Sequence, residues 1–300
     1  MVRQLLPALT AFLLAASSLQ AQTIEAQYRE EIRALAGEAT VADALARIEA
    51  LDPWTMERHV ELTEIPAPPF MEEVRARRFA ELLGEVGADS VWIDQEGNAV
   101  GLRRGEGGGR TIAIGGHLDT VFPEGTDVTV RMRGDTLFAP GVGDDTRGLV
   151  VVLTVLRAMV EADVRTEDDV LFVGVVGEEG PGDLRGMKYL FRANAPIPID
   201  AWIEIDGGGF DRLVTRGLGS VRYRVAFRGP GGHSWGAFGL ANPAHALGQA
   251  VRYFQEAADT LTRIDPPTSY NVGRIGGGTS VNSIPFEAWM EVDMRSHSPE

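Results

Sequence analysis

The segment TIAIGGHLDTVFPEG, residues 111–125, begins as a buried strand and ends with polar side chains. Its first four residues are apolar or β-branched, which is typical of a strand. Two glycines then lead to His117 and Asp119. Ligands of open α/β sheets bind at the carboxyl ends of the strands. A histidine and a carboxylate at such an end therefore indicate a functional site.

The sequence around this segment alternates between helical and strand patterns. The continuous apolar run at 169–177 is typical of a strand that is covered on both faces. The other predicted elements are a helical region at 24–50, a proline-rich loop at 64–70, an amphipathic helix that starts near 71 and ends at Gly84 or Gly87, two strands around a turn at 94–98, a strand at 111–115, helices at 148–162 and 184–194, and a strand at 201–206. Strands alternating with helices predict an α/β fold with a mostly parallel central sheet flanked by helices.

The pattern changes after about residue 215. In the segments 220–229 and 286–296, apolar and polar residues alternate, which predicts strands with one buried face. The apolar positions are Val221, Tyr223, Val225, Phe227, Phe286, Ala288, Met290, Val292 and Met294. A helix is expected between these strands at 242–258, with Asn242 as its N-cap and Pro243 at its first position. This part of the chain is therefore predicted to be a smaller α+β domain.

Both ends of the chain carry signals about its organisation. Residues 1–21 have a basic start, an apolar middle and a small, polar exit, which predict a cleaved signal peptide and a secreted or periplasmic protein; a frayed helix is the alternative. Residues 22–214 are expected to form the N-terminal part of the sheet domain, and residues 215–300 an incomplete smaller domain. The final letters SPE look like the start of a helix, so we expect the sequence to stop before its natural end; a polar tail is the alternative.

Composition restricts the possible partners and metal ligands. The formal net charge of -15 argues against nucleic-acid binding, which needs a basic face. The apolar run near the N-terminus is too short to cross a bilayer, so no membrane span is expected in the mature chain. The chain contains no cysteine, and any metal must therefore be held by histidine, aspartate or glutamate.

Acidic side chains follow several predicted strands of the sheet. Besides His117 and Asp119 they are Asp144, Asp145, Glu178, Glu179 and Asp206. Each group by itself could be a turn or a solvated loop. Together, at one edge of a sheet, the carboxylates would repel one another unless a cation lay between them. The sequence therefore predicts a metal site, for which zinc is favoured by mixed imidazole and carboxylate ligands, while cobalt or manganese would also fit.

The supply of ligands also suggests how such a site would work. One aspartate that bridges two ions would let these few side chains nearly complete two neighbouring metal sites. Two ions close together would lower the pKa of a shared water and polarise a carbonyl group. Of the adjacent Glu178 and Glu179, one could then bind metal while the other accepts the proton of the water.

Five motifs in this order resemble the co-catalytic dizinc exopeptidase and deacylase family. They are GGHLDTV, GDDTRG, GEEG, EIDGG and GPGGHS, and the likeness runs from about residue 54 to residue 300. The family includes glutamate carboxypeptidases, tripeptide aminopeptidases, acetylornithine deacetylase and succinyl-diaminopimelate desuccinylase. The resemblance implies that His117 and Asp206 bind one zinc ion, that Glu179 binds the other, and that Asp144 bridges both, often through a cis peptide to Asp145.

The resemblance also implies roles for residues that do not bind metal. Glu178 would be the general base, and Asp119 would hydrogen-bond His117 and fix its tautomer. The smaller domain would be a lid that mediates homodimerisation. In it, His233 would reach the active site of a partner subunit and stabilise the oxyanion formed there. Asn282 and Arg295 would hold the carboxylate of the substrate.

Two departures from the family pattern are visible. The chain has DDTRGL where many members have an Asp-Asp-Lys-Gly-Gly sequence, and it has no histidine in the context of the family's last metal ligand. We therefore expect a secreted dizinc metallopeptidase that trims short peptides, with the closing part of the site outside this sequence. The alternatives are an N-acyl-amino-acid deacylase with the same site and a non-catalytic dimerising module.

Overall fold

A computed structural model describes residues 25–207, 212–262 and 267–298 of the chain. The chain divides into two compact units, Met1–Gly209 and Phe210–Glu300, so the sequence-based boundary after residue 214 lies near this division. The predicted signal peptide and the last two residues fall outside the described residues. Among the residues that the structure describes, no helix combines the length and apolar character needed to cross a membrane.

The first unit contains helices and strands in alternation. Its helices are α1 (Ala26–Ala36), α2 (Ala39–Ala50), α3 (Asp52–Thr63), α4 (Glu73–Glu85), α5 (Thr146–Glu161) and α6 (Arg185–Leu190), with a short 3-10 turn at Gly180–Gly182. Its strands are β1 (Ser90–Ile93), β2 (Ala99–Arg103), β3 (Thr111–His117), β4 (Arg131–Arg133), β5 (Thr136–Phe138), β6 (Asp169–Val175) and β7 (Ala201–Glu204).

The central sheet of this unit has five strands in the order β1-β2-β6-β3-β7. β3 is parallel to both β6 and β7. β2 is antiparallel to β6 and to β1, so β2 alone runs against the other four strands. This confirms the predicted α/β fold with a mostly parallel sheet, and it places the ends of β3, β6 and β7 at one edge.

Both faces of the sheet are covered at β2, β3 and β6, as the continuous apolar run of β6 predicted, whereas β7 is mostly exposed. One face packs against α3, α4 and α5 in a core that includes Leu62, Phe79, Leu82, Leu149, Leu153 and Phe172. The opposite face packs against α6 and the segment that follows it, through Val100, Leu171, Val173, Met187 and Ile197. Side chains of β6 point alternately into the two cores, because successive residues of a strand face opposite sides.

Several elements differ from the sequence-based expectation. The helical region at 24–50 is two helices, because α1 ends at Ala36 with Gly37 as its C-cap, and a new helix starts at Ala39. The helix expected at 184–194 spans only Arg185–Leu190, with Phe191 as its C-cap. Helix α3 was not predicted. The β4–β5 hairpin was also not predicted, because its strands have only three residues each.

The second unit is an antiparallel sheet with a helix on one face. Its elements are β8 (Gly219–Arg228), β9 (Gly232–His233), α7 (Pro243–Leu261), β10 (Thr268–Gly277), β11 (Ser283–Ile284) and β12 (Glu287–Ser296). The main sheet has the order β10-β12-β8, and β9 pairs with β11. The Asn242 side chain caps α7 by accepting a hydrogen bond from the Ala244 N–H at 2.9 Å, as predicted.

The predicted buried face of this second sheet is only partly correct. Ala288, Met290 and Val292 of β12 are buried under α7, and the partly buried Val225 and Phe227 of β8 pack against them. However, the other apolar residues predicted for that face of β8, Val221 and Tyr223, are 49% and 58% exposed, and Phe286 is 68% exposed. Alternation identified the face correctly, but it could not show how much of the face the single helix covers.

Candidate metal centre

Five predicted site residues lie where strands of the first unit end or where α5 begins. His117 is the last residue of β3, Glu178 and Glu179 follow β6, Asp206 follows β7, and Asp144 lies two residues before α5. We call these five residues the acidic rim. The parallel pairing of β3 with β6 and β7 explains why residues so distant in sequence meet at one edge.

His117 is at the centre of the acidic rim. Its side chain is 1% exposed, and its Nε2 lies 2.8 Å from Asp144 Oδ1 and 3.8 Å from Asp206 Oδ1. Its Nδ1 lies 3.0 Å from the backbone carbonyl oxygen of Asp119. Because a carbonyl oxygen only accepts hydrogen bonds, Nδ1 carries a proton, and Nε2 is the ring nitrogen that faces the carboxylates and would bind a metal after losing its own proton.

Two sets of side chains in the acidic rim have the spacing of metal ligands. One donor atom from each of His117, Asp144 and Asp206 lies within 4.8 Å of the other two, and the same holds for His117, Glu178 and Glu179. One imidazole combined with carboxylates suits zinc and also cobalt or manganese. The residues present therefore fit a divalent metal.

The protonation of the acidic rim shows how strongly its charges interact. Burial disfavours the charged form of His117, but the carboxylates near it outweigh burial and raise its pKa to about 10. Burial raises the pKa of Glu178 and Glu179 above their ordinary value, and neighbouring negative charges add to this effect. The raised pKa values of the two glutamates show that the acidic rim has more negative charge than its one imidazole can balance.

The role of Asp119 differs from the one expected from the resemblance. Its carboxylate is 3.7 Å from His117 Nδ1, whereas its backbone carbonyl accepts the hydrogen bond of that ring nitrogen. The carboxylate instead accepts hydrogen bonds from the backbone N–H groups of Glu178 at 3.0 Å and Glu179 at 2.8 Å. Asp119 therefore links the end of β3 to the loop after β6, and it orients both.

Asp145 supports the acidic rim through hydrogen bonds from backbone N–H groups. Its carboxylate is buried, accepts hydrogen bonds from the His117 and Gly148 N–H groups at 2.9 Å each, and thereby caps α5. A Cβ atom at Gly116 would lie 2.6 Å from this carboxylate, which explains the second glycine before His117. Burial raises the pKa of Asp145 to about 8. The peptide bond between Asp144 and Asp145 is cis, as the resemblance led us to expect.

Sequence reasoning missed Arg75, which is completely buried in α4. Its guanidinium donates hydrogen bonds to the carbonyl oxygens of Leu118 at 2.6 Å and Ile65 at 3.0 Å. It therefore holds the backbone between His117 and Asp119, although burial lowers its own pKa to about 10. The segment EVRARRF contains three arginines, and its amphipathic pattern does not show which of them points inward.

The predicted lid residues all belong to the second unit and are exposed. His233 pairs with Ser283 across β9 and β11, and its Nδ1 accepts a hydrogen bond from the Trp235 N–H at 3.2 Å. The carbonyl oxygen of Asn282 accepts a hydrogen bond from the Ser234 N–H, which brings Asn282 beside His233. Arg295, near the end of β12, donates a hydrogen bond to Asp293 at 2.8 Å.

Comparison with known proteins identifies the family. The sequence profile of peptidase family M20/M25/M40 matches residues 113–293, which is more than half of the chain and includes the whole acidic rim. The chain belongs to this family. The resemblance inferred from the five motifs is therefore confirmed.

Individual relatives agree with this assignment. The chain is 27% identical over 207 residues to carboxypeptidase G2 of Pseudomonas sp. (strain RS-16), covering 66% of this chain and 47% of that protein. It is 27% identical over 223 residues to succinyl-diaminopimelate desuccinylase of Leptothrix cholodnii, covering 69% and 56%. The solved structure of the dipeptidase Dug1p from Saccharomyces cerevisiae has the same fold, with a TM-score of 0.66, 17% identity and coverage of 86% and 72%.

The match does not extend over the whole of the curated relatives. The chain spans about half to two thirds of their length. The family membership therefore applies to this chain, while the activity of the whole protein is a matter of inference from its site.

Proposed function

We propose that this protein is a zinc-dependent hydrolase that cleaves the amide bond next to a free terminus of a short peptide. The observation that carries the proposal is the convergence of His117, Asp144 and Asp206 within 4.8 Å, with the pair of glutamates after β6 on the same histidine. Family membership supports the reaction class, since the chain shares its profile with peptidases and resembles a carboxypeptidase and a desuccinylase.

In this proposal the acidic rim would hold two zinc ions. His117 and Asp206 would hold one ion, Glu179 the other, and Asp144 would bridge both. When bound, the ions would polarise the scissile carbonyl group and lower the pKa of an attacking water. His117 is prepared for this role because Asp119 and Asp145 hold it from both sides, through its Nδ1 and its backbone N–H.

Glu178 is the proposed general base. It is half-buried next to Glu179, and burial raises its pKa toward the range where a carboxylate can accept a proton near neutral pH and give it up again. Glu178 would take the proton of the attacking water and then deliver it to the leaving amide nitrogen. The hydrogen bond from its backbone N–H to Asp119 fixes the starting point of its side chain.

The replacement Glu178→Gln tests this assignment. Glutamine has the same shape but cannot accept a proton as a base, so we expect a loss of turnover of at least about 100-fold with unchanged metal content. The control is Glu81→Gln, which changes an exposed glutamate of α4 paired with Arg78. A Glu178→Gln protein that retains most of its turnover would remove Glu178 from the role of base.

A second candidate activity is removal of an acyl group from an N-acyl amino acid. It uses the same site and the same base, and the likeness to a succinyl-diaminopimelate desuccinylase favours it. Hydrolysis rates for unblocked dipeptides and for N-succinyl or N-acetyl amino acids would distinguish the two. Faster hydrolysis of the acylated compounds would replace the peptidase proposal by a deacylase.

Two further features of the proposal concern the whole protein. We infer export from the signal-like residues 1–21, which N-terminal sequencing of the mature protein would test.

We also infer a homodimer formed through the smaller domain, with His233, Asn282 and Arg295 as substrate-binding residues. Sedimentation of the metal-loaded protein would test the dimer, since a monomer at micromolar concentration contradicts it.

A further inference from the structure

The loop that carries Glu178 and Glu179 is held at its base by a different part of the molecule, the β1–β2 turn. This loop, which we call the glutamate loop, comprises residues 176–186. Its two ends are joined by the hydrogen bond from Gly186 N–H to the Val176 carbonyl oxygen at 3.0 Å. Asp119 holds its tip from the β3 side.

Asn98, the residue before β2, contacts both ends of the glutamate loop with one amide group. Its Oδ1 accepts a hydrogen bond from Val176 N–H at 3.0 Å, and its Nδ2 donates one to the Gly186 carbonyl oxygen at 3.1 Å. The side chain is completely buried. A Cβ atom on Gly186 would collide with Asn98 Oδ1, so glycine is required there for the approach.

The orientation of this amide is determined by its partners. Nδ2 also donates to Asp94 Oδ2 at 2.8 Å, while Asp94 Oδ1 accepts hydrogen bonds from the Glu96, Gly97 and Asn98 N–H groups of the turn. Val176 offers a donor and Gly186 offers an acceptor, so only an amide with one of each satisfies both. Aspartate at position 98 would have the same shape but would lack the two donated hydrogen bonds.

Arg185 provides a second connection between the turn and the glutamate loop. Its Nη1 donates to the Glu96 carbonyl oxygen at 3.0 Å, and its Nη2 donates to the buried carboxylate of Glu72 at 2.8 Å. Its side chain packs against Gly177, where a Cβ atom would lie 2.6 Å from Arg185 Cγ. The arginine therefore fixes the loop directly beside Glu178.

From these contacts we infer that Asn98 is a positioning residue for the reaction, which acts through the glutamate loop on Glu178. The order of the sheet explains why this is possible, because β6 lies between β2 and β3. The loop after β6 is thus held from β2 by Asn98 and from β3 by Asp119. The inference rests on the proposed function, in which Glu178 is the base.

A double-mutant cycle between Asn98 and Glu178 tests the inference. In the otherwise unchanged protein, Asn98→Asp is expected to lower kcat by roughly 10- to 100-fold, with a smaller change in KM, because the base moves from its working position. In the Glu178→Gln background, the same change is expected to leave the residual rate nearly unaltered. Equal losses in both backgrounds would overturn the inference, because a general loss of structure does not depend on Glu178.

Amide hydrogen exchange of the metal-free protein provides a measurement that does not depend on turnover. Asn98→Asp is expected to accelerate exchange at the Glu178 and Glu179 amides, which are protected by Asp119 in the parent protein. The control Thr154→Ala removes a buried hydroxyl whose partners are Thr55 and Val150, and it should leave these two amides unchanged. Unchanged exchange in Asn98→Asp contradicts the inference.

Two further outcomes can be separated. If Asn98→Asp does not fold, Arg185→Lys takes its place in the double-mutant cycle. Lysine keeps the charge but cannot bind the Glu96 carbonyl oxygen and the Glu72 carboxylate at the same time, as the guanidinium does. Its effect on kcat should likewise be present with Glu178 and nearly absent in the Glu178→Gln background. If Glu178→Gln retains its turnover, the proposed base is wrong, while hydrogen exchange still decides whether the β1–β2 turn holds the glutamate loop. Failure of the proposed function and failure of the positioning role therefore give different results.

Discussion

Acidic side chains occupy two contrasting settings in this chain, the acidic rim of the first unit and the sheet surface of the second. On the sheet, acids of β12 face arginines of β8 across the strand pair, as Glu287 with Arg228, Glu291 with Arg224 and Asp293 with Arg222. Their ion-pair distances are 2.8, 3.4 and 3.1 Å. In the acidic rim, four carboxylates instead converge on one buried imidazole.

The pKa values respond in opposite directions in the two settings. Hydrogen bonds from Arg295 and then Arg222 lower the pKa of Asp293, although partial burial opposes them. Burial and neighbouring acids raise the pKa of Glu178 and Glu179. Each of these sheet acids is already paired with an arginine. In the acidic rim, four carboxylates share one imidazole, and this excess of negative charge is the electrostatic property of a metal site.

The largest difference between the two settings should appear when a ligand is removed. We expect His117→Ala to abolish turnover and to remove the stabilisation that zinc confers, which is about 2.7 kcal/mol at a zinc concentration 100 times Kd. Glu291→Gln on the sheet, where Glu291 pairs with Arg224, should leave both properties unchanged. Thermal unfolding with and without zinc measures the effect, and a full zinc response in His117→Ala would show that the acidic rim is not the metal site.

The pH dependence of stability should also separate the metal-free from the metal-loaded protein. Asp145, Glu178 and Glu179 have raised pKa values, so above about pH 4 the folded state keeps protons that the unfolded state has released. The contribution of His117 is complete below its ordinary pKa of 6.5 and is lost as the pH rises through about 10. All four groups act in the same direction.

We therefore expect the melting temperature of the metal-free protein to fall as the pH rises from about 5 to 9, by the linkage of proton binding to folding. Zinc needs deprotonated ligands, so its stabilising effect should grow over the same range. Unfolding scans of both forms at several pH values provide the test. A zinc effect that is independent of pH would contradict the assignment of these ligands.

Among the described residues, two helices are capped by a side-chain hydrogen bond, and these caps allow a finer comparison. Asp145 caps α5 from a buried position and also binds the His117 N–H, whereas Asn242 caps α7 at the surface. Asp145→Ala should reduce the free energy of unfolding by about 2 kcal/mol, and Asn242→Ala by about 1 kcal/mol. Urea denaturation of the metal-free protein measures both values. Equal losses would mean that the contact of Asp145 with His117 adds nothing to stability.

The smallest effect is expected for the ion pairs of the sheet surface. Arg224 pairs with Glu291 and lies over the Trp289 ring at 4.0 Å, but its side chain is 52% exposed. Arg224→Ala should therefore change the free energy of unfolding by less than about 1 kcal/mol, and less at high salt. Denaturation at low and high ionic strength tests this, and a loss of several kcal/mol would show that the surface pairs do more than expected.

Sequence reasoning was most successful for long elements with a clear period. β3, β6, α5 and α7 were predicted nearly within their observed bounds, because continuous apolar runs and helical periodicity are strong signals. It was less successful where burial depends on a neighbour, as at Val221 and Tyr223 of β8. The hairpin β4–β5 escaped because two strands of three residues leave almost no periodic pattern.

The same distinction applies to the candidate site. His117 and Asp206 could be predicted to meet, because each lies at the end of a strand of one mostly parallel sheet, whereas the structure places Asp144 before helix α5 and not after a strand of that sheet. The supporting contacts could not be predicted, since Arg75 reaches a carbonyl 43 residues away and Asn98 reaches an amide 78 residues away. Nothing in a local pattern identifies such partners.

By itself, the sequence determined the fold class, the family and the group of acids that converges on His117, because strand periodicity and strand ends are local properties of the chain. Only the tertiary structure decided that Asp119 accepts hydrogen bonds from the glutamate loop with its carboxylate and from His117 with its backbone carbonyl. It also decided which arginine is buried and which turn holds the loop that carries Glu178. These are hydrogen bonds between distant segments, and their geometry exists only after the sheet has assembled.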